Sequence, residues 1–495
     1  MIMRKIYSIL VLLLSALTFV SCGNESHIIY NIKLQDRNFS CSFDRQTLEI
    51  PYTLTGDYYS PVSASTDAEW VLGIDTSEQG VIKLDIAVND GSERTTTLKI
   101  KAQNHLSTSV DITQIAAPID KASHTLMFYF FGTSLNRYFK VNIDDAKWAV
   151  RSGILKGSNR ILYLMQSNSY TAQICEICYD PINDECIDRV IEEINLDSTL
   201  ITPEAIGDNI AKMVHYAEAD RYGIVFAGHG QGWIPREVLN GSGGIAALSV
   251  GDIWQPAIGA EVTRAFGENN VQVNPDELAE AIAHSGVELD YILFDACFMA
   301  NIEALYDLRN CANYIIASPC EIMGKGFPYQ NTLPYLFAAN GATSDVKGAA
   351  ESYYHFYRDE YSYSARCGSV AVFKCNEIEA LADATAEVVK SAKSSDEYDE
   401  KSLQTYEGQS PHQFYDFGEW INVVATDAQA LAAFNDQLSR TVIAKYSLDV
   451  FYSAYGSYGT HPINLDVYSG VTTSAPSRAY PEYWMNTNWY NEVWQ

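Results

Sequence analysis

Tyr222-Gly223-Ile224-Val225-Phe226-Ala227 runs straight into Gly228-His229-Gly230-Gln231-Gly232-Trp233, and this stretch decides the fold. A short apolar run closed by glycines suits a strand buried on both faces, as in a parallel sheet. The device recurs where Tyr291-Ile292-Leu293-Phe294 meets Asp295-Ala296-Cys297. Working outward, Thr125 to Phe131, Ile161 to Met165 and Tyr314 to Ala317 are further apolar strands. Helical patterns lie between them. Pro203 to Ala217 carries Ile206, Ile210 and Val214 on one face, and Asn301 to Leu308 reads as helix. Asn274-Pro275-Asp276-Glu277 is a helix start, with an Asn cap, a first-turn Pro and a Glu three residues on. Strands alternating with amphipathic helices predict an α/β fold with a parallel-rich sheet and helices on both faces.

In such sheets, sites gather beyond the carboxyl ends of the strands. His229 and Cys297 both stand there. On neighbouring strands the two side chains would converge. A thiol near neutral pH is mostly protonated, and the thiolate is the nucleophile, so a nearby His is what the chemistry requires. The glycines around His229 let a substrate approach the backbone. The amides of Gly230 and Cys297 are then the candidate oxyanion donors. The bland alternative is a turn beside a core cysteine. There is no G-x-S-x-G, H-E-x-x-H or G-x-x-x-x-G-K-[ST], and no carboxylate pair stands out for glycoside hydrolysis.

The 495 residues allow about three domain-sized units of roughly 150 residues. Sixty-two Asp and Glu against 33 Lys and Arg give a net charge of −29. That excess argues against nucleic acid and against an anionic membrane surface, both of which call for clustered basic residues. The 33 Tyr suit glycan or peptide contacts, and equally an ordinary core.

Residues 1–21 read as a secretory signal, with Arg4 and Lys5 before an apolar run too short to span a membrane. Phe19-Val20-Ser21-Cys22 resembles a bacterial lipobox, making Cys22 the expected lipidation site and 22–26 a tether. The expected location is the bacterial outer membrane, on its periplasmic or surface face. Cleavage takes away two basic residues and no acidic ones, so the mature chain is more acidic still. Nine further cysteines leave at least one thiol unpaired. Cys175, Cys178 and Cys186 are either strand residues or part of a zinc site lacking a nearby fourth ligand.

Residues 27–117 alternate with period two in Val81–Val88, Thr97–Ile100 and Val110–Ile115, with Asn89-Asp90-Gly91 as a turn. They predict a small all-β, immunoglobulin-like sandwich. Trp70, Asn89, Arg94 and Gln114 within it resemble a BACON domain, a module of Bacteroidetes exported proteins that implies glycan binding. The alternative is a spacer whose Trp70 is core.

His229-Gly-x-Gly-Trp233 and Phe294-Asp-Ala-Cys-Phe-Met-Ala300 together resemble the signature blocks of the clostripain (C11) cysteine peptidases. Thr263-Arg264-Ala265, Asn301-Ile302-Glu303, Ala317-Ser318, Gly324 to Tyr329, Tyr415-Asp416 and Trp489 continue that pattern in order. The resemblance covers roughly 124–495 and places one peptidase domain at 120–495. It implies a caspase-like sheet and a His229–Cys297 dyad. It implies protein or peptide substrates cut after Arg or Lys, and no required cofactor, although some relatives use calcium. Asp295 and Glu321 are the candidate acids for a basic-residue pocket, Asp295 equally as a brace for its loop. The chain reads Ser318-Pro319-Cys320-Glu321 where relatives often read Ser-Glu-Glu, and Phe327 for Trp. Cys320 is expected to be exposed, and His412 is a candidate cleft residue. Between 230 and 296 only Arg236 and Arg264 are basic, and neither lies in the glycine-bearing stretch 240–260. The chain is therefore expected to stay whole or to be cut by another protease. The rival reading is an inactive peptidase-like protein that presents a glycan- or peptide-binding sandwich.

Overall fold

Alternation builds the first unit and continuous apolar runs build the second. A computed structural model describes residues 31–43, 45–55, 61–89, 93–102, 107–115, 121–153, 158–168, 170–180, 184–196, 202–239, 257, 259–264, 273–337, 343–455, 462–476 and 480–495. The signal, Cys22, most of the Asn89-Asp90-Gly91 turn and nearly all of 240–260 lie outside these. The chain divides between Pro118 and Ile119.

The first unit holds β1 (Asn31–Leu34), β2 (Asn38–Cys41), β3 (Gln46–Thr55), β4 (Ser63–Ser65), β5 (Val71–Asp75), β6 (Val81–Ile86), β7 (Arg94–Lys101) and β8 (Ser107–Gln114). They form two four-stranded sheets, ordered β1-β3-β6-β5 and β2-β8-β7-β4. Every second residue turns inward: Ile82, Leu84 and Ile86 from β6 meet Leu98, Ile100, Val110 and Ile112. Arg94 closes one end. Its Nε donates to Gln114 Oε1 at 2.9 Å, and Nη2 donates to the Val88 carbonyl at 2.9 Å. Its guanidinium lies 4.9 Å from the centre of the Trp70 ring.

The second unit holds β9 (His124–Phe130), α1 (Asn136–Arg151), β10 (Asn159–Gln166), β11 (Thr171–Asp180), β12 (Glu185–Asn195), α2 (Pro203–Tyr216) and β13 (Tyr222–Ala227). After these come α3 (Pro275–Ser285), β14 (Leu289–Asp295), α4 (Ile302–Leu308), β15 (Ala312–Ala317), β16 (Val370–Lys374), β17 (Tyr415–Asp416) and β18 (Val442–Tyr446). Nine strands make one sheet in the order β12-β11-β10-β9-β13-β14-β15-β16-β18. The five from β10 to β15 in that order are parallel, and both margins are antiparallel. The expected parallel-rich sheet is present, with antiparallel strands at its margins. A short connection such as 167–170, between β10 and β11, permits only an antiparallel return, because a parallel one needs a crossover of a dozen residues or more.

Each central strand feeds two cores. Phe128 and Phe130 pack with Phe139 and Ile143 of α1 on one face. Met127 and Tyr129 pack with Ile206, Ile210 and Met213 of α2 and Leu278 and Ile282 of α3 on the other. Each such side chain contributes about 1.5–3 kcal/mol when fully buried. The helices start where capping predicts. Thr202 accepts from the Ala205 amide, and Asn274 with Glu277 forms a reciprocal box. Asn301 accepts from the Ala304 amide and opens α4 immediately after the Cys297 turn. Cys175 and Cys178 lie on β11 and Cys186 on β12. Among the described residues, none of the nine cysteines is joined in a disulfide and no cluster of three His, Cys, Asp or Glu is disposed to hold a metal ion. No helix among them is long and apolar enough to cross a membrane.

Candidate active site

β13 and β14 pair in parallel with Ala227 opposite Asp295, so the loops that follow them emerge side by side. They touch at Gly230, where an added Cβ would meet the Cys297 carbonyl oxygen at 2.2 Å and its nitrogen at 2.7 Å. Only glycine permits that approach. His229, half-buried, has its Nε2 3.0 Å from the Ser134 hydroxyl on the β9–α1 connection. Cys297 is fully buried, and its sulfur accepts from the Ile322 amide at 3.0 Å. Burial first, and the charge of Glu321 second, push its thiol well above the ordinary range. Phe298 takes a left-handed φ of 61°, uncommon for a bulky residue. Its ring stacks on Phe414 at 4.6 Å and its amide donates to the Cys320 carbonyl at 3.1 Å, which hold the turn.

The chain itself fills the cleft. Residues 261–264 run antiparallel to 322–324. The Gly324 amide donates to the Val262 carbonyl at 2.7 Å, and the Arg264 amide donates to the Ile322 carbonyl at 2.8 Å. The carbonyl oxygen of Arg264 accepts from both candidate oxyanion donors, the Gly230 amide at 2.9 Å and the Cys297 amide at 3.3 Å. Its side chain is fully buried in a pocket that uses all five of its N–H groups. Nη1 lies 2.9 Å from Asp295 Oδ2 and donates to the Asp295 carbonyl at 3.1 Å. Nη2 donates to Asn142 Oδ1 at 2.9 Å and to the Lys325 carbonyl at 3.2 Å, and Nε donates to the Gly324 carbonyl at 3.1 Å. Phe139 of α1 lies beneath the guanidinium at 5.6 Å. At Gly326, φ is 73° and a Cβ would fall 2.3 Å from Arg264 Nη2, so the pocket wall must be glycine.

Asp295 is buried, which raises its carboxyl, while Arg264, the Tyr329 hydroxyl at 2.8 Å and the Phe327 amide at 3.3 Å pull it back. Glu321 does not face the guanidinium and is no part of that pocket. It takes the Thr263 hydroxyl at 2.6 Å on Oε2, and the Ala454 amide lies 3.1 Å from each carboxylate oxygen. The reason is strand geometry: successive residues of an extended segment point to opposite sides, so Arg264 and Thr263 reach different acids. Burial pushes the Glu321 carboxyl up to about 7.

Two other expectations change. Cys320 is buried, not exposed: its carbonyl accepts from the Phe298 amide, and its thiol lies 3.5 Å from the Ser318 hydroxyl. His412 sits with its Nδ1 2.9 Å from Glu407 Oε2. Glu407 also takes the amides of Gln413 at 2.6 Å and Phe414 at 3.2 Å, so this pair shapes the loop that carries Phe414. Sequence reasoning missed Ser134, Asn142 and Phe139, which arrive from another part of the chain. The hollow beside His229, lined by Phe131, Phe294 and Met299, is only about 50 Å³. A larger one of about 760 Å³ lies far from this chemistry, against Ala380 and Trp494.

Residues 184–493 match the clostripain family of peptidases, C11. A secreted C11 cysteine protease from Bacteroides thetaiotaomicron, "iotapain", is 29% identical with a TM-score of 0.65, over 76% of this chain and 99% of that one. A secreted C11 cysteine protease from the same organism, in complex with an irreversible peptide inhibitor, is 25% identical with a TM-score of 0.61, over 75% and 98%. An inactive zymogen C11 protease from Parabacteroides distasonis is 27% identical with a TM-score of 0.62, over 76% and 100%. No curated protein matches the chain.

Proposed function

The chain belongs to the clostripain family, and from that premise we propose that it is an exported cysteine endopeptidase that cuts after Arg, with its own Arg264–Ala265 bond as its first substrate. One observation supports this most: Arg264 lies as a bound substrate residue would, its guanidinium on Asp295 and its carbonyl oxygen between the Gly230 and Cys297 amides. The reading reverses the expectation of an unprocessed chain.

The steps use only side chains and water. His229 takes the proton from Cys297, whose sulfur bonds to the carbonyl carbon of Arg264. Negative charge gathers on the oxygen between the two amides, where preorganised donors stabilise it most in the transition state. The C–N bond to Ala265 breaks, and His229 gives its proton to the departing amine. Water then attacks the thioester, with His229 as base, and frees the Arg264 carboxylate and the thiol. No metal or organic cofactor enters this scheme. Asp295 is the specificity acid: a buried carboxylate that loses Arg264 is left uncompensated, so the emptied pocket draws in another cation.

A leader before Cys22 and the secreted relatives support export, with Cys22 as the lipid anchor and the outer membrane as the destination. For the sandwich we favour a spacer role over a glycan platform, because the Arg94 guanidinium already covers the Trp70 ring.

The test is incubation of the purified full-length chain with intact-mass and N-terminal sequencing. A new N-terminus at Ala265, absent in Cys297→Ala and in Arg264→Ala, is the expected result. Cleavage there that persists in Cys297→Ala would refute the assigned nucleophile. A panel of fluorogenic peptides on the processed chain then measures preference for Arg.

A further inference from the structure

We infer that Cys320 and Cys367 are a disulfide site: in the exported chain they join, and the bridge ties the loop beside the nucleophile to the segment entering β16. The inference goes beyond the peptidase reading and takes from it only export, which supplies oxidising surroundings.

The fold brings the two together. β15 pairs antiparallel with β16, and Ala317 stands opposite Ala371. Cys320 follows the first of these and Cys367 precedes the second, so the chain leaving one strand meets the chain entering the other. Both side chains enter the same core, fully buried, and their thiols are in hydrogen-bond contact. Their surroundings fix them there. Cys320 Sγ lies 3.5 Å from the Ser318 hydroxyl, and Cys367 Sγ donates to the Tyr452 carbonyl at 3.0 Å. The Tyr353 hydroxyl donates to the Cys367 carbonyl at 2.9 Å. Side chains already in sulfur-to-sulfur contact need little backbone movement to bond.

The bridge holds a wall of the cleft. Ile322, two residues past Cys320, gives its amide to the Cys297 sulfur at 3.0 Å and its carbonyl to the Arg264 amide at 2.8 Å. Residues 321–366, closed into a loop by the bridge, carry Gly326 and the Lys325 carbonyl of the arginine pocket. Cross-linking a segment of that length restricts the unfolded chain and favours the folded one. The bridge also keeps Cys320 from a worse partner. The Cys320 sulfur is close enough to Cys297 for its charge to bear on that thiol, and a bond between those two would silence the nucleophile.

The step is thiol–disulfide exchange during folding, before the core closes over the sulfurs. The oxidant is a disulfide, of a small thiol or of a thiol–disulfide oxidoreductase. One thiolate of the pair attacks a sulfur of the oxidant, forms a mixed disulfide and releases the first thiol. The other thiolate attacks the protein sulfur of that mixed disulfide and expels the second. The oxidant takes up two electrons and two protons and leaves as thiols.

The experiment uses full-length Cys297→Ala, which carries no competing nucleophile. It is folded from denaturant in a buffer of oxidised and reduced glutathione, quenched with acid, alkylated without reduction and mapped by mass spectrometry. The expected product is a pair of peptides joined through Cys320 and Cys367, two hydrogens lighter than the separate peptides and absent after reduction. Native protein incubated in the same buffer is mapped in the same way, so that a failure to refold does not decide the result. Cys320 and Cys367 alkylated separately in both preparations overturn the inference, and so does either of them joined to another cysteine. Reduction should lower Tm by about 3 °C or more, a shift that Cys320→Ala/Cys367→Ala should lack. An equal shift in that double variant overturns the bracing role. These readouts involve neither peptide cleavage nor export, so their failure leaves the peptidase reading standing.

Discussion

Asp295 and Glu321 are both fully buried carboxylates, and both face the same short segment of chain. What they receive differs. Asp295 meets a cation whose five N–H groups are all engaged by the pocket, and it also takes a tyrosine hydroxyl and an amide. Glu321 meets the hydroxyls of Thr263 and Ser453 and the Ala454 amide, with no cation. A buried charge needs a counter-charge, and dipoles offset its lost hydration only in part. The first pocket is therefore a selector of charge, and the second acid is held by hydrogen bonds alone.

The comparison breaks most visibly if the first acid is neutralised. Asp295→Asn keeps the shape and removes the charge, leaving any bound guanidinium buried without its partner. The loss should be about 3–5 kcal/mol, about 150-fold or more in kcat/KM for Arg peptides, and self-cleavage at Arg264 should fall with it. A rate ratio between Arg and uncharged peptides that survives the change would sink Asp295 as the selector. Gly326→Ala should come next. Its Cβ would sit 2.3 Å from the guanidinium at a φ of 73°, which should cost about 1–3 kcal/mol, mostly as a higher KM for Arg peptides. Arg264→Lys keeps the cation but offers three rotatable donors where the pocket supplies a fixed fork. Self-cleavage followed by mass should slow by about tenfold.

The smallest effect sharpens the other side of the comparison. The Glu321 carboxyl titrates at about 7 when folded, above the ordinary Glu value near 4.5. The folded chain thus holds a proton that the unfolded chain has already released between those values. The stability tied to that proton is complete below about pH 4.5 and is lost as pH rises through about 7. Gln suffers no such loss. Unprocessed Glu321→Gln should gain roughly 2–4 °C in Tm relative to the unaltered chain on going from pH 5 to pH 8. A difference that does not change with pH would mean that Glu321 is held as a charge like Asp295.

Much of this was legible in the residues themselves. The apolar runs ending at Ala227 and Asp295 announced parallel strands, and the breaks after them marked His229 and Cys297. Asp295 was a candidate through the family resemblance, which it matches two residues before the nucleophile. Thr263-Arg264-Ala265 was visible as a motif, yet its place in the cleft was not. In the sequence the glycine-bearing stretch 240–260 reads as the exposed loop where a cut would fall, whereas Arg264 is among the most buried of the described residues. Glu321 was assigned to the wrong side chain for a related reason. Which neighbour an acid meets depends on the register of a facing strand, and spacing along the chain does not encode it. Asn142, 122 positions from Arg264, belongs to the same class: a helix brings it, and no local signal announces it.

The five-point grip on Arg264 has a consequence for the enzyme after it has acted. Hydrolysis frees a carboxylate but breaks none of the guanidinium bonds, nor the two backbone bonds that hold 261–264 in place. The product stays joined to the protein that made it. A tethered ligand competes at an effective concentration in the millimolar range, which dilution does not lower. The processed protein should accordingly behave as a peptidase occupied by its own tail, with the same specific activity at any protein concentration. Trimming the terminal Arg264 with an Arg-specific carboxypeptidase should raise the rate on small peptides. If it does not, the tail leaves the cleft unaided.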